Sequence, residues 1–266
     1  MIALLDADVI AFQASAEADK YERLDFGEST EDSAVKADTP ELYLKAREIS
    51  ETLISAWVEG ANANEAVLAF SGVSEENFRR KVHPTYKSNR TAEKPKGYAE
   101  TVTYLKESYT CHAWDNLEGD DVLGLLADDL KAVVVSTDKD ILTLPSPVVH
   151  VKQRTGEFIH YEANLHRANW NWMYQTLMGD TTDGYKGAPG IGKKGAANRL
   201  SHKTTLSDLW EAVMRGYGEQ IRKPAQATKF VTNSVYGEAL MNARCARILR
   251  KGDYDVEAKE VSLWRP

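Results

Sequence analysis

Acidic residues recur in this chain as short clusters. Asp6 and Asp8 follow "IALL", and "LEGDD" supplies Glu118, Asp120 and Asp121. "STDKD" supplies Asp138 and Asp140, and "GDTTDG" supplies Asp180 and Asp183. Each cluster alone fits a solvated turn or a helix start, where carboxylates cap free N–H groups and oppose the helix dipole. Brought to one place they would repel one another and draw protons unless cations joined them. Hard carboxylate oxygens select Mg²⁺ or Mn²⁺ over zinc. The six histidines form no H-x-x-H spacing that would favour zinc. Two hard cations about 4 Å apart suit phosphoryl chemistry, one activating water and the other steadying the leaving oxygen.

Two basic features stand against this acidity. From Phe78 to Lys96 the chain reads "FRRKVHPTYKSNRTAEKPK", with Arg79, Arg80, Lys81, Lys87, Arg90, Lys94 and Lys96 against the single acid Glu93. A solvated loop accounts for many such runs. Here Phe78, Tyr86 and Tyr98 interleave with the cations, a pattern that suits stacking on unpaired bases along a phosphate track. The second feature is "GAPGIGKKGAANRL", Gly187 to Leu200. Gly190 and Gly192 permit a tight turn with exposed N–H groups, and a helix starting near Lys193 favours anions at its N-terminus. Lys193 and Lys194 add charge there. A plain helix–turn–helix would look similar, but with "GDTTDG" just upstream the turn reads as a grip on a phosphodiester backbone that does not read bases.

The elements that must position these residues follow from hydrophobic pattern. "IALLD" (Ile2 to Asp6), "AVLAFS" (Ala66 to Ser71) and "AVVVS" (Ala132 to Ser136) are short apolar runs of buried-strand length. Helical spacing covers Leu42 to Val58, Gly97 to Ser108 and Asp120 to Leu130. Strands alternating with helices imply a layered α/β core with parallel pairing. Ligands of such sheets gather beyond the carboxyl ends of the strands, where Asp6, Ser71 and Asp138 fall. Extended-chain alternation points Lys139 away from its acidic neighbours. Asp19 to Asp38 reads as an acidic, irregular connection. Beyond about Tyr161 the chain turns helical, with helices in "ANLHRANWNWMYQTLM", near Ala196 and Leu206, and over Gly237 to Arg250.

At 266 residues and 42% hydrophobic content the chain is long enough for one large core, and its net charge of −7 excludes a uniformly basic coat without excluding a local basic footprint. Cys111 and Cys245 form no C-x-x-C, which argues against a disulfide framework and a thiolate zinc site. There is no apolar run long enough to span a bilayer and no basic segment before the first strand, so a soluble, cytoplasmic protein is expected.

Together the motifs resemble those of the structure-specific 5′-nucleases: flap endonucleases and the 5′-nuclease domains of bacterial DNA polymerases. They look closest to the 5′→3′ exonucleases of short-tailed lytic bacteriophages. The resemblance runs through "LLDADVIAF", "FRRKVHPTYKSNR", "LEGDDVLG", "VVVSTDKDILTL" and "GDTTDGYKGAPGIGKKGA" to the terminal "LWRP". It implies a PIN-like α/β core with a mixed, mainly parallel sheet over residues 1–178, including a helical arch or gateway at 73–108. Residues 179–266 would form a helix-3-turn-helix DNA-binding element and a helical region packed on that core as one unit.

The resemblance also implies roles. Asp6, Glu118, Asp120, Asp121, Asp138, Asp140, Asp180 and Asp183 match the family's metal ligands, for two Mg²⁺ that Mn²⁺ can replace. Lys87 and Arg90 match the catalytic pair that approaches the scissile phosphate. Arg79, Arg80, Lys81, Tyr86, Gly190, Gly192, Lys193 and Lys194 are the expected DNA contacts, and the turn at 187–192 matches one that holds K⁺. The implied activity is Mg²⁺-dependent 5′→3′ hydrolysis of duplex DNA, with flap endonuclease and RNase H-like activity, by a monomer serving phage replication or recombination in an infected bacterium. A PIN-type ribonuclease would share the sheet and the acids without needing the glycine-rich grip. A non-catalytic duplex-binding protein would keep the basic features without needing the acids. One departure from the family pattern is Ser71, where many relatives carry an Asp after the second strand. A neutral serine binds a hard cation weakly. Asp8 could compensate, although the family motif gives it no such role.

Overall fold

The computed structural model describes residues 1–25, 39–90, 92–232 and 234–266. Its centre is strand β1 (Ile2–Asp6), paired in parallel with β2 (Glu65–Ala69) on one side and β4 (Val133–Ser136) on the other. Outside β2 lies β3 (Thr110–His112). Outside β4 lie β5 (Val148–Val151) and β6 (Phe158–Tyr161), giving the order β3-β2-β1-β4-β5-β6. In this sheet, among the described residues, only β6 runs antiparallel to its neighbour. The chain winds outward from β1 through β2 and β3, then returns to β4 and winds the other way. The crevice between the carboxyl ends of β1 and β4 is therefore a topological switch point.

The strands are buried because apolar side chains leave them on both faces. Leu4 packs with Val67, Val134 and helix α5 (Gly119–Leu126), while Ala3 and Leu5 pack on the opposite face. That opposite face is covered by α1 (Ala7–Asp25), α2 (Pro40–Gly60) and α4 (Tyr98–Ser108). The expected irregular stretch from Asp19 is corrected in part. Residues 19–25 complete α1, and 26–38 lie outside the described residues. The helix buries Ala7, Ile10, Ala11, Ala14 and Ala18. Small side chains at helical spacing make a weak hydropathy stripe, which hid the helix from pattern reading.

The gateway segment contains α3 (Phe78–Val82), turns through Arg90, and α4. A 3₁₀ turn, Lys139–Thr143, follows β4. The remaining helices are α6 (Leu165–Met178), α7 (Lys193–Leu200), α8 (Leu206–Ile221), α9 (Pro224–Ala227) and α10 (Val235–Ala246). Trp172, Met173 and Leu177 of α6 share a second core with α7, α8 and α10. The last helix stops at Ala246, short of the expected Arg250, because residues 247–250 run on to meet the sheet-side core through Ile248 and Leu249. A small hairpin, β7 (Tyr254–Asp255) and β8 (Glu260–Val261), precedes the terminus. Trp264 then stands edge-on to Trp172 and Trp210. No helix among the described residues is long and apolar enough to cross a membrane.

Candidate active site

Asp6 closes β1 at the switch point and is buried. Its Oδ2 accepts a 2.7 Å hydrogen bond from Ser136 Oγ at the end of β4, and Ser136 Oγ in turn accepts from Asp138 N at 3.0 Å. One serine thus bridges the two strand ends and sets Asp138 beside Asp6. Burial, then the charges of Asp8 and Asp138, push Asp6 up to about 7. Asp120, in the first turn of α5, is held well above the usual carboxylate range by burial and by Asp6, Asp138 and Glu118. Asp140 is pushed up to about 7 by burial and by Asp138, with Asp180 and Asp183 adding to it and Lys139 opposing. The carboxylates therefore crowd one another in two groups. Asp6, Asp120 and Glu118 form one, Asp140, Asp180 and Asp183 the other, and Asp138 acts on both.

Such mutual repulsion is what divalent cations relieve, and an all-oxygen donor set suits hard ions. The donor chemistry fits the expected metals. As the side chains stand, no three of them among the described residues are already arranged to hold one ion. Basic side chains occupy several of the oxygens instead. Lys87 Nζ lies 2.5 Å from Glu118 Oε1 and Arg90 2.7 Å from Asp183 Oδ1. Burial alone would raise Glu118, but Lys87 and Arg79 hold it below its ordinary value. Lys139 does not point away. It lies 3.4 Å from Asp140 and 3.8 Å from Asp180, because a 3₁₀ turn rather than extended chain follows Asp138.

The gateway docks directly on the "GDTTDG" loop. Lys87, at positive φ, donates its N–H to Asp183 O at 2.8 Å, and Asn89 Nδ2 donates to Thr181 O. Gly184 permits this approach, since a Cβ there would stand 2.7 Å from Thr85 O. Tyr86 is 1% exposed, and its hydroxyl lies 3.0 Å from Glu118 Oε2 and 2.9 Å from Asp183 Oδ2. The expected stacking of Tyr86 on DNA is therefore corrected: the ring is core, and its hydroxyl ties two acidic clusters together.

Arg79 and Asp121 are corrected in the same way. Arg79 is 2% exposed and grips Asp121 through both terminal nitrogens at 2.5 and 2.7 Å, while also donating to the carbonyls of Cys245 and Arg247. Asp121 is fully buried and also accepts from Leu249 N and Glu118 N. Neither has a face left for a phosphate or a metal. Arg80 donates to Ser74 O and lines the gateway cleft, of about 1000 Å³. Lys81 is exposed but lines a different cleft, beside α10 and β8.

Two polar positions, Ser136 and Gln175, escaped sequence reading. Ser136 looked like the end of an apolar run. Gln175, buried on α6, donates to Asp140 Oδ1 at 2.6 Å; a glutamine one turn beyond the core residue Trp172 was the available signal. Asp8 accepts from Ser71 N at 2.8 Å and from the Tyr98 hydroxyl at 3.2 Å, and Ser71 Oγ accepts from Gly119 N.

Away from the acids, Gly190 sits at φ +83°, which glycine adopts without strain, and Gly192 caps α7. No side chain caps that helix, and a Cβ on Gly192 would meet nothing within 4 Å. Gly190, Gly192, Lys193 and Lys194 are all exposed, so free amides and two ammonium groups face solvent together.

The chain matches the family model described as 5′-3′ exonuclease, N-terminal resolvase-like domain, over residues 29–171. It is 31% identical to the exodeoxyribonuclease of Enterobacteria phage T3, across all of this chain and 93% of that protein. It is 30% identical to the exonuclease of Escherichia phage T7 over the same shares. In structure it is similar to the zinc-bound T5 5′-exonuclease, with a TM-score of 0.59 at 14% identity over 92% of this chain and 93% of that one. It is also similar to the catalytic core of Rad2 in complex with DNA substrate, with a TM-score of 0.55 at 11% identity over 98% and 82%. At such identities the structural likeness speaks for the fold alone. The full-length match to the phage enzymes adds the lineage: this chain belongs to the 5′–3′ exonuclease family.

Proposed function

We propose that this exonuclease hydrolyses phosphodiester bonds from the 5′ ends of duplex DNA, flaps included, with two Mg²⁺ ions, in phage DNA replication or recombination within an infected bacterium. The observation that carries the reading is the crowding of carboxylates in two groups that both feel Asp138, faced by Lys87 and Arg90. Asp6, Glu118 and Asp120 would hold one ion, Asp140, Asp180 and Asp183 the other, with Asp138 between them. When bound, the two ions supply an activated water and stabilise charge on the leaving oxygen. Mn²⁺ would serve in their place.

The chain's own residues supply positioning and charge. Lys87 and Arg90 exchange Glu118 and Asp183 for the oxygens of the scissile phosphate, a role worth roughly 3–4 kcal/mol for one well-placed donor. Tyr86 keeps Glu118 and Asp183 together while the cations leave them. Residues 1–178 carry most of this chemistry, and residues 179–266 add Asp180 and Asp183 and the duplex grip. There the Gly190–Lys194 turn takes a backbone phosphate on its free amides, as a helix-3-turn-helix does, and K⁺ on the carbonyls of 187–192 would add positive charge. The protein acts as a monomer.

Asp138→Asn tests the reading. Turnover on a 5′-labelled duplex in Mg²⁺ should fall by at least about a thousandfold while duplex affinity changes little, since the lost charge serves both carboxylate groups. Cleavage at the unsubstituted rate would remove Asp138 from the site. Matched strands with DNA or RNA 5′ ends, run in parallel, separate a deoxyribonuclease from a ribonuclease.

A further inference from the structure

Three clefts on this molecule join end to end. The gateway cleft, about 1000 Å³, holds Lys87 and Arg90 and ends at Asp8, Phe12 and Lys94. The same three residues open a second cleft, about 1170 Å³, between α1, α2 and the β5–β6 hairpin. Thr137, Lys152 and Gln153 then continue it into a third, about 580 Å³, which ends at Arg154 and at Lys139 beside Asp138. A groove thus runs from the gateway cations, across the mouth of the acidic site, to the tip of the hairpin.

Bases outnumber acids along that groove, although Asp8, Glu17, Glu118 and Asp138 also line it. Phe12 is 46% exposed and stands one helical turn beyond Asp8, with its ring on the groove wall. An isolated exposed Phe is ordinary. This one is placed between a cation on the gateway side, Lys94, and cations on the hairpin side. Lys152, which pairs with Glu157 at 2.7 Å and would exchange it for a phosphate, and Arg154 are both exposed at a hairpin turn that Gly156 closes at positive φ with open space around it. Phe158 lies half-buried in the same wall. Alternating aromatic and basic side chains along a groove suit a single strand, whose bases stack while its phosphates meet cations. A peptide or a compact metabolite would not need cations spaced along the whole length.

We propose that this groove binds the single-stranded nucleotides on the 5′ side of the scissile phosphate, with a base stacked on Phe12 and phosphates at Lys152 and Arg154. The inference rests on the reading of the chain as a nuclease acting at 5′ ends: once the scissile phosphate is between Lys87 and the acids, the strand beyond it must leave, and this groove is continuous with that point.

The test uses 5′-flap duplexes with 5-iodo-deoxyuridine at successive flap positions, irradiated on the full chain in Ca²⁺. The expected result is peptide crosslinks within residues 9–16 and 152–158; crosslinks solely on other elements overturn the proposal. In parallel, Phe12→Ala and the double variant Lys152→Ala, Arg154→Ala are compared by anisotropy on flapped and tailless duplexes. The loss of affinity on the flapped duplex should exceed that on the tailless one by about fivefold or more. Equal losses on the two, or none, overturn it. Parallel cleavage assays of the unsubstituted chain separate the two failures: no cleavage of either DNA sinks the nuclease reading, whereas cleavage with flap-independent affinity sinks the groove alone.

Discussion

Replacing Arg79 by Met should unfold this protein far more readily than it weakens DNA binding. Position 79 lies in a basic run, yet the side chain is 2% exposed and its guanidinium makes two hydrogen bonds to a carboxylate that is fully buried. Methionine keeps most of the apolar stem and removes the charge. Asp121 then retains only the N–H groups of Leu249 and Glu118, and the carbonyls of Cys245 and Arg247 lose their donors. Breaking a buried ion pair from one side typically costs about 3–5 kcal/mol, because a charge stays buried without its partner. That is a large share of a total stability of roughly 5–15 kcal/mol. At roughly 2–4 °C per kcal/mol for a chain near this size, the thermal midpoint should drop by roughly 6–20 °C. Urea denaturation followed by tryptophan fluorescence measures it, as a lower midpoint with an unchanged slope. Adding Asp121→Leu should restore part of the loss, since the stranded carboxylate is then gone. A destabilisation under about 1 kcal/mol, or weaker duplex binding at an unchanged urea midpoint, would refute the structural role and return Arg79 to the DNA-binding face.

Three further outcomes follow from the site. Burial and neighbouring carboxylates push Asp6 and Asp140 up to about 7 from an ordinary 3.8, so folding favours their protonated forms and the stability this adds is lost as pH rises from about 3.8 and is gone once it passes about 7. In EDTA the thermal midpoint should be higher at pH 6 than at pH 8, with a slope of at most about 1.4 kcal/mol per pH unit for each carboxyl; Mg²⁺ should shrink the difference, and a higher midpoint at pH 8 in EDTA would contradict the raised values. Converting Lys193 and Lys194 together to Ala should weaken duplex binding and lower the slope of log affinity against log salt by up to about two, and an unchanged slope would count against the grip. Gln175→Leu should leave Asp140 without its 2.6 Å donor and lower Mn²⁺ affinity, read by electron paramagnetic resonance, about 10–100-fold, whereas an unaltered titration would make the glutamine a packing residue only.

The sheet and the acidic rim were legible in the sequence because strand ends, apolar runs and carboxylate clusters coincide along the chain. Which side of an element each charge takes was not. Asp120 and Asp121 are neighbours, yet about 100° of helical rotation sends one to the rim and the other into the core. The spacing did carry that information: Glu118 at the N-cap and Asp121 three residues on form a capping box, which turns the second carboxylate back toward the helix start. Arg79 and Arg80 offer no such signal, because α3 has only five residues and too little periodicity to assign a face. Strands β3, β5 and β6 were missed for a related reason, their three or four residues being broken by His112, His150 and His160.

The serine at position 71 is where chain order and spatial order part most clearly. Read along the chain, the carboxyl end of β2 lacks an acid. Parallel pairing of β1 with β2 ends with Asp6 opposite Ala69, and the chain beyond β1 then turns into α1, with Asp8 in its first turn. From that turn the Asp8 side chain reaches across to the end of β2, where its Oδ2 accepts a 2.8 Å hydrogen bond from Ser71 N. A carboxylate therefore does stand at the end of β2, delivered by the first turn of α1, the helix that follows the neighbouring strand. Its charge is one of the main forces pushing Asp6 upward. A search at position 71 misses it, because neighbours across a parallel sheet are separated along the chain by an entire crossover.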